Sequence, residues 1–320
     1  NSVDASAGST VGVRMLASAT TGTQAVTLSQ CELWNLDVGI QGIGLPSATV
    51  YLAGVSIHGC NILSCNTGVA WRHGDHFILE GGVIDQCFSP VVIDADKIWV
   101  TNNYIGGRTA GNNNAVVIQA TSTENFVQDY NILHNMIVGT NPTGQDGISV
   151  NASVYLLQFG QIRNNNISNF KRGINITGTG GNNHVFISHN IFTLCTAAAI
   201  NFDTGATFCH VDGDFFDASV VSHITDAGVS NRTLRYIDTG VPNQNGGVST
   251  QNGDGVVVAF TVAHGLPAAP RFAVVTPGAS GSTNSAFFTS YDGTNITVTF
   301  GVAPTAGTGN VVLRWYAECN

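Results

Sequence analysis

Residues 162–176 read IRNNNISNFKRGINI, in which Asn164, Asn165 and Asn166 stand between apolar residues and a Gly173-Ile174 pair follows seven residues later. Asparagine is a poor strand former and a good turn former, so the run marks a corner between two short strands. Such a corner defines a fold only if it recurs.

It recurs along most of the chain. With Asn165 as anchor, Cys31, Cys60, Gly82, Asn103, Asn135, Asn165, Asn190 and Asp214 fall in one column, at intervals of 29, 22, 21, 32, 30, 25 and 24 residues. Periods of that length signal a solenoid in which each interval is one coil. Three residues before the anchor stand Leu28, Ile57, Leu79, Val100, Ile132, Ile162, Ile187 and Val211, and two after it Leu33, Ile62, Ile84, Ile105, Ile137, Ile167, Phe192 and Phe216. Five before it, a further column runs from Val26 and Val55 through Phe77 to Cys209. Alternate positions of a strand face one side, so these columns line a core and the anchor turns inward between two strands.

Eight residues after the anchor a small or turn residue precedes an apolar one, as in Gly39-Ile40, Gly68-Val69, Pro90-Val91, Gly173-Ile174 and Ala198-Ala199. The coils anchored at Asn103 and Asn135 reach Ala115-Val116 and Gly147-Ile148 only after four extra residues, which predicts loops bulging from one flank. Gly12-Val13 holds the same place relative to Asp4. The chain is therefore expected to begin inside a coil, with capping residues upstream of Asn1 removed, because the ends of a parallel sheet need cover. The seven cysteines are odd in number and show no CxxC spacing. Cys31 and Cys60 share the anchor column, and Cys65, Cys87 and Cys195 share the column five after it with Phe170, so they read as buried, reduced thiols.

Composition narrows the partners. Only 10% of the 320 residues are charged while 43% are hydrophobic, against about 25% charged in an average soluble domain. A neutral polar surface suits sugars, and a net charge of -9 argues against nucleic acid. No apolar run approaches the roughly 18 residues of a membrane span, so membrane insertion is not expected.

The coil pattern ends near Asp238, and residues 240–253 have the composition of a linker. Beyond it, residues 256–264, 271–276, 285–291, 296–300 and 311–318 are short alternating runs, with an Asp292-Gly293 turn pair signalling a hairpin. The expected division is a parallel solenoid over 1–239, a linker over 240–253, and a small antiparallel β-sandwich over 254–320. His264, between a strand and a glycine turn, reads as a hydrogen-bonded structural residue.

On its anchor, lining and Gly-Ile columns the chain resembles the right-handed, single-stranded parallel β-helix of pectate-lyase-like proteins and phage tailspikes. The segments FTVAHGL (260–266), VVTP (274–277) and RWYAE (314–318) more loosely resemble the small C-terminal modules of tailspikes. The resemblance implies an all-β fold in which the corner asparagines stack as a ladder of amides, each finding partners about 4.8 Å away in the next coil. It also implies a homotrimer at a virion tail or another extracellular place, which binds a bacterial surface polysaccharide and depolymerises it. A non-catalytic adhesin or structural spike, and a monomeric polysaccharide lyase, are the alternatives.

Glycoside hydrolysis needs two carboxyl groups and a platform for the sugar. The outward column two before the anchor reads Ser29, His58, Glu80, Thr101, Leu133, Arg163, Ser188 and Asp212; Trp99 stands four before its anchor and Asp85 three after. Glu80 and Asp85 are the expected acid and base, with Trp99 as platform and His58, Thr101, Tyr104 and Arg163 as substrate contacts. Asp94 and Asp96 form a second carboxylate pair, and Glu124, Asp129 and Asp146 are loop acids placed to close over a groove. No metal or other cofactor is expected for a hydrolase. A lyase would need a base such as Arg163, Tyr104 or a lysine, and often calcium, for which Asp94-Ala95-Asp96 and residues 212–217 are the candidates.

Overall fold

The computed structural model describes residues 10–16, 23–44, 52–107, 113–120, 127–152, 157–178, 182–238, 244–266, 268–278 and 287–319. Asp4 and Glu124 lie outside them. The chain divides into two compact units, Asn1–Tyr236 and Ile237–Asn320. Every described element is a strand.

In the first unit 21 strands are joined by parallel pairing into one continuous wall, accompanied by a ladder of four two-residue strands. The pairing follows the sequence columns. Leu28, Ile57, Leu79, Val100, Ile132, Ile162, Ile187 and Val211 are successive partners, as are the residues from Leu33 to Phe216. From Val55 and Ile57 onward the lining residues are buried in one core cluster.

Asn164, Asn165 and Asn166 do different things. Asn164 takes the left-handed conformation at φ 56 and lets the chain turn, which asparagine tolerates better than most residues. Asn165 turns inward and is 1% exposed. Asn166 opens the next strand, Asn166–Thr177, and faces solvent. Left-handed residues precede the anchor in every coil, from Gln30 and Gly59 to His189 and Gly213.

The buried amides form a continuous ladder. Asn135 Nδ2 donates to Asn165 Oδ1 at 3.0 Å and to the Val100 carbonyl at 2.8 Å. Its own Oδ1 accepts from Asn103 Nδ2 and from the Asn103 backbone N–H. All four hydrogen-bonding sites of the amide are thus used. Asn165 and Asn190 repeat the arrangement, and Asp214 Oδ1 receives the last pair of bonds, 2.7 and 2.9 Å, from Asn190.

The Gly-Ile column records a close approach of coils. A Cβ on Gly173 would sit 2.7 Å from the Ala199 carbonyl oxygen and 2.5 Å from the Phe192 ring. Val116 pairs with Val91 and Ile148, so the four-residue insertions do leave the column intact. Ile174 pairs with Ile200, not Ala199, because the register shifts by one residue between Phe170↔Cys195 and Arg172↔Ala198. The small-apolar pair of that coil is Ala199-Ile200, and the extra residue is absorbed as a bulge. All seven cysteines are free, with Cys65 and Cys87 fully buried.

The second unit holds two three-stranded antiparallel sheets sharing one buried cluster that includes Phe260, Val298, Phe300 and Leu313. Gln244–Gly253 pairs along Gly307–Glu318, so most of the segment expected as linker is a strand of this unit. Its polar, glycine-rich composition carries no strand signal; the long partner strand supplies the pairing. Phe287–Tyr291 and Asn295–Phe300 form the hairpin, with Asp292 Oδ1 accepting from the N–H groups of Thr294 and Asn295 at 2.8 Å. His264 is fully buried; its Nδ1 accepts from the Leu266 N–H and its Nε2 lies 3.1 Å from the Asp292 carbonyl, which places the proton on Nε2.

Asp214 makes the ladder sensitive to pH. Each ladder asparagine donates a bond to a carbonyl of the preceding strand, but Asp214 Oδ2 is buried and faces no partner. Burial, opposed by the bonds from Asn190, pushes its carboxyl up to about 7. The folded state thus holds a proton more tightly than the unfolded state, so stability is greatest below the usual aspartate range and declines as pH rises toward 7. Asp214→Asn supplies a neutral donor in its place. Denaturant unfolding should show the variant more stable than wild type above pH 7, by up to ~4 kcal/mol, with the difference shrinking toward pH 4.

Candidate functional site

The seven residues expected at the site fall into separate groups. Glu80, at the end of Thr67–Glu80, is paired in register with His58 and Thr101. His58 Nδ1 lies 3.4 Å from Glu80 Oε2, and Asn102 Nδ2 reaches Glu80 Oε1 at 3.5 Å. Asp85 stands beyond the corner, on Val83–Cys87, where it accepts from the Gln86 N–H at 2.8 Å and its carboxylate lies over Gly106. Glu80 and Asp85 share none of these partners. Burial first, then the Asp85 charge, push the Tyr104 phenol up. A raised phenol keeps its proton, which suits it poorly to be the base of a lyase. Arg163 is three coils from Glu80 in the same column, about 14 Å at one strand spacing per coil.

Trp99 belongs to a different cluster, one that a column-by-column reading of the strands leaves out. Its ring stacks on His76 at 6.5 Å. His76 Nδ1 lies 2.8 Å from Asp75 Oδ2, and Lys97 Nζ lies 3.4 Å from Asp75 Oδ1 and 3.8 Å from Asp96 Oδ2. Those two contacts bound the gap between the two carboxylate oxygens at 7.2 Å. Asp75 and Asp96 are register partners in adjacent coils. Burial raises the Asp96 carboxyl, against the opposing bonds from the Gln128 and Lys97 N–H groups. Asp94, by contrast, is fully buried.

His76 and Lys97 belong to a second column of left-handed corners, six before the anchor: Ala25, Gly54, His76, Lys97, Asp129, Phe159, His184 and Phe208 all have positive φ. A strand register treats this position as an ordinary outward residue, so the sequence gives no sign of a turn there. Its last three members stack as rings, at 5.6 Å for Phe159 with His184 and 5.5 Å for His184 with Phe208. Phe159 and Phe208 are 50% and 56% exposed. Two positions along, Phe186 stacks on His210 at 4.9 Å and carries the Arg163 guanidinium 5.7 Å above its ring. Between the two aromatic columns runs an open groove of about 350 Å³, lined by Phe159, Gly160, Gln161, Arg163, His184 and Phe186. The visible signal was an aromatic ring or histidine before the lining residue in three successive coils.

A family model described as the right handed beta helix region matches residues 42–216, more than half of the chain, and the chain belongs to that family. Among solved structures, the tailspike gp61 of Pseudomonas phage phi297 matches with a TM-score of 0.50 and 11% identity, over 97% of this chain and 60% of that one. The chain therefore spans 60% of the length of that tailspike. A mutant tailspike of E. coli bacteriophage HK620, solved in complex with a pentasaccharide, matches at TM-score 0.39 and 10% identity, over 93% of this chain and 70% of that one. The tailspike gp49 of Acinetobacter baumannii bacteriophage Fri1, titled a capsular polysaccharide depolymerase, matches at TM-score 0.29 and 11% identity, over 97% and 66%. No curated protein matches the chain in sequence. Among the described residues no helix is long and apolar enough to cross a membrane.

The acids of the inserted loops separate by burial. Asp129 is exposed. Asp146, expected to close over a groove, is instead 3% exposed and held by structure. Arg172 donates to it from Nε at 2.7 Å and Nη2 at 3.1 Å, and Asn175 Nδ2 donates at 2.7 Å. Removing the guanidinium leaves a buried carboxylate uncompensated. Arg172→Ala should therefore cost about 3 kcal/mol in denaturant unfolding, whereas Asp129→Asn should change stability by less than about 0.5 kcal/mol.

Proposed function

We propose that this chain is a tailspike-like receptor-binding protein that lays a bacterial surface polysaccharide along the outward columns of its β-helix and hydrolyses it between paired carboxylates. The observation that carries the reading is the groove flanked by exposed, stacked rings on successive coils. Rings at a spacing fixed by the coil repeat offer apolar surface to the C–H faces of sugars, while Gln161 and Arg163 offer donors to their oxygens. The sparsely charged composition supports a neutral polar ligand surface of this kind. The setting that follows is extracellular, at the tail of a virion.

For hydrolysis, two carboxylate pairs are available. Glu80 and Asp85, with His58, Thr101 and Tyr104 around them, lie on either side of the anchor corner. Asp75 and Asp96 are favoured because they are register partners on adjacent coils and face one ammonium, Lys97, at 3.4 and 3.8 Å, which puts two carboxylates at one place on the wall, as glycoside hydrolysis needs. Asp96, whose proton is retained above the ordinary aspartate range, donates it to the glycosidic oxygen as the C–O bond breaks. Asp75, faced by Lys97, serves the anomeric carbon or the attacking water, and Trp99 with His76 gives a platform.

Release of reducing ends from a panel of capsular and O-antigen polysaccharides tests this. Asp75→Asn and Asp96→Asn should each lower turnover about 100-fold or more, and the wild-type rate should fall on the alkaline side as Asp96 loses its proton. Full activity in these variants, with loss in Glu80→Gln and Asp85→Asn, moves the chemistry to the corner. Binding without shortening of any polysaccharide leaves a non-catalytic adhesin.

The homotrimer is supported by the second unit, which exposes Val248, Phe272, Val274, Phe288 and Val302 at 45–69%. A unit this small gains stability by covering such residues with copies of itself. Light scattering should report a trimer for the whole chain and a smaller or aggregating species once residues 240–320 are deleted; a trimeric deletion variant would place the association on the β-helix.

A further inference from the structure

The chain carries 20 Asp and Glu against 11 Lys and Arg, yet the residues lining the aromatic groove include Arg163 and His184 and no carboxylate. The acids of the flanking coils stand outside the lining. Asp129 precedes Phe159 in the left-handed column, and Asp212 lies one coil beyond Ser188 in the column of Arg163. Arg163 is held in place by neutral groups: Nε donates to Ser188 Oγ at 3.0 Å, Nη1 reaches Gln161 Oε1 at 3.5 Å, and the plane rests over Phe186. These contacts orient the guanidinium and use two of its five N–H directions, which leaves a fork suited to a carboxylate.

The rings beside it are placed at a cost. Their column requires a left-handed backbone, which Gly54 adopts freely at φ 66, but Phe159 and Phe208 adopt it at φ 55 and 54. A bulky residue there costs about 1–2 kcal/mol. Core packing does not call for these rings, since both are about half exposed. Strain kept at an exposed aromatic column next to an oriented guanidinium points to a ligand.

We propose that this groove binds a sugar residue bearing a carboxylate, such as a uronic or other acidic sugar of a bacterial polysaccharide, with Arg163 holding the carboxylate and Phe159, His184 and Phe208 packing on the chain to either side. The assignment rests on the polysaccharide-binding reading above and adds the chemical class of the sugar. A lysine would not replace Arg163, because the ammonium lacks both the planar fork and the stacking on Phe186.

The test uses the whole chain and a panel of acidic capsular polysaccharides, each presented in native form and after chemical reduction of its carboxyl groups to alcohols. Wild-type protein should bind at least one native polysaccharide about 10- to 100-fold more tightly than its carboxyl-reduced form, the range of a charge-assisted contact. Arg163→Gln should abolish the discrimination, weakening the native form about 10- to 100-fold more than the reduced form so that the two bind alike. Arg163→Lys should recover only part of the difference, and Phe208→Ala should weaken both forms alike. Equal binding of native and reduced forms, or an Arg163→Gln variant that still separates them, overturns the assignment while sparing the polysaccharide reading. Absence of binding to any polysaccharide overturns both. Loss of the native oligomer in Arg163→Gln or Phe208→Ala, with polysaccharide affinity kept, makes the groove a contact between copies and also overturns it.

Discussion

A buried side-chain amide that finds all its partners in the coils above and below is the constraint on which this β-helix depends. An unpaired amide in an apolar interior costs several kcal/mol, about 2 to 7 depending on the reference state. The asparagine is therefore tolerable only if coils stack in one register. Asn103, Asn135, Asn165 and Asn190 meet that condition in series. A slip of one residue would break the ladder and also turn the isoleucines of the lining columns outward. The amides and the apolar lining thus enforce the same register by different physics.

The ladder has a direction, and its two ends are chemically different. Each amide donates one N–H forward to the next anchor and one back to the preceding strand; Asp214 accepts the last forward bonds with one oxygen, while its other oxygen stands where an amide would donate back and is stranded in the interior. At the opposite end the Gly82 N–H donates to Asn103 Oδ1, and the column continues with Cys60, whose sulfur receives only a weak bond from the Cys31 N–H at 3.4 Å. Amides thus serve the middle of the solenoid. Smaller groups serve the first coils.

Because register is fixed from inside, outward residues inherit a spacing of one strand per coil without contacts of their own. That is why exposed rings stack at 5.5–5.6 Å along the left-handed column and why Arg163 meets Ser188 and Phe186 from the next coil. A site on such a wall is rigid before any ligand arrives, which lowers the entropic cost of binding a flexible polymer. The inserted loops contribute in another way, since Asp146 is drawn inward by Arg172 and Asn175 and stabilises the flank.

The sequence by itself determined the solenoid, the lining columns and the position of each anchor corner, because these follow from a period-two pattern interrupted by one repeated turn residue, and both are local. It also placed His58 beside Glu80 and Cys65 with Cys87 in one column, since register alone decides such neighbours. Tertiary structure alone decided the rest. The bulge that moves Ala199-Ile200 into the Gly-Ile column depends on how one extra residue is absorbed between coils. The strand Gln244–Gly253 exists because a partner strand offers its edge, and no local propensity announces it. The second set of left-handed corners, which brings Asp75, Asp96 and Lys97 together and turns Phe159 and Phe208 outward, follows from the closure of each coil in space. Closure is a property of the whole turn, and no short stretch of sequence contains it.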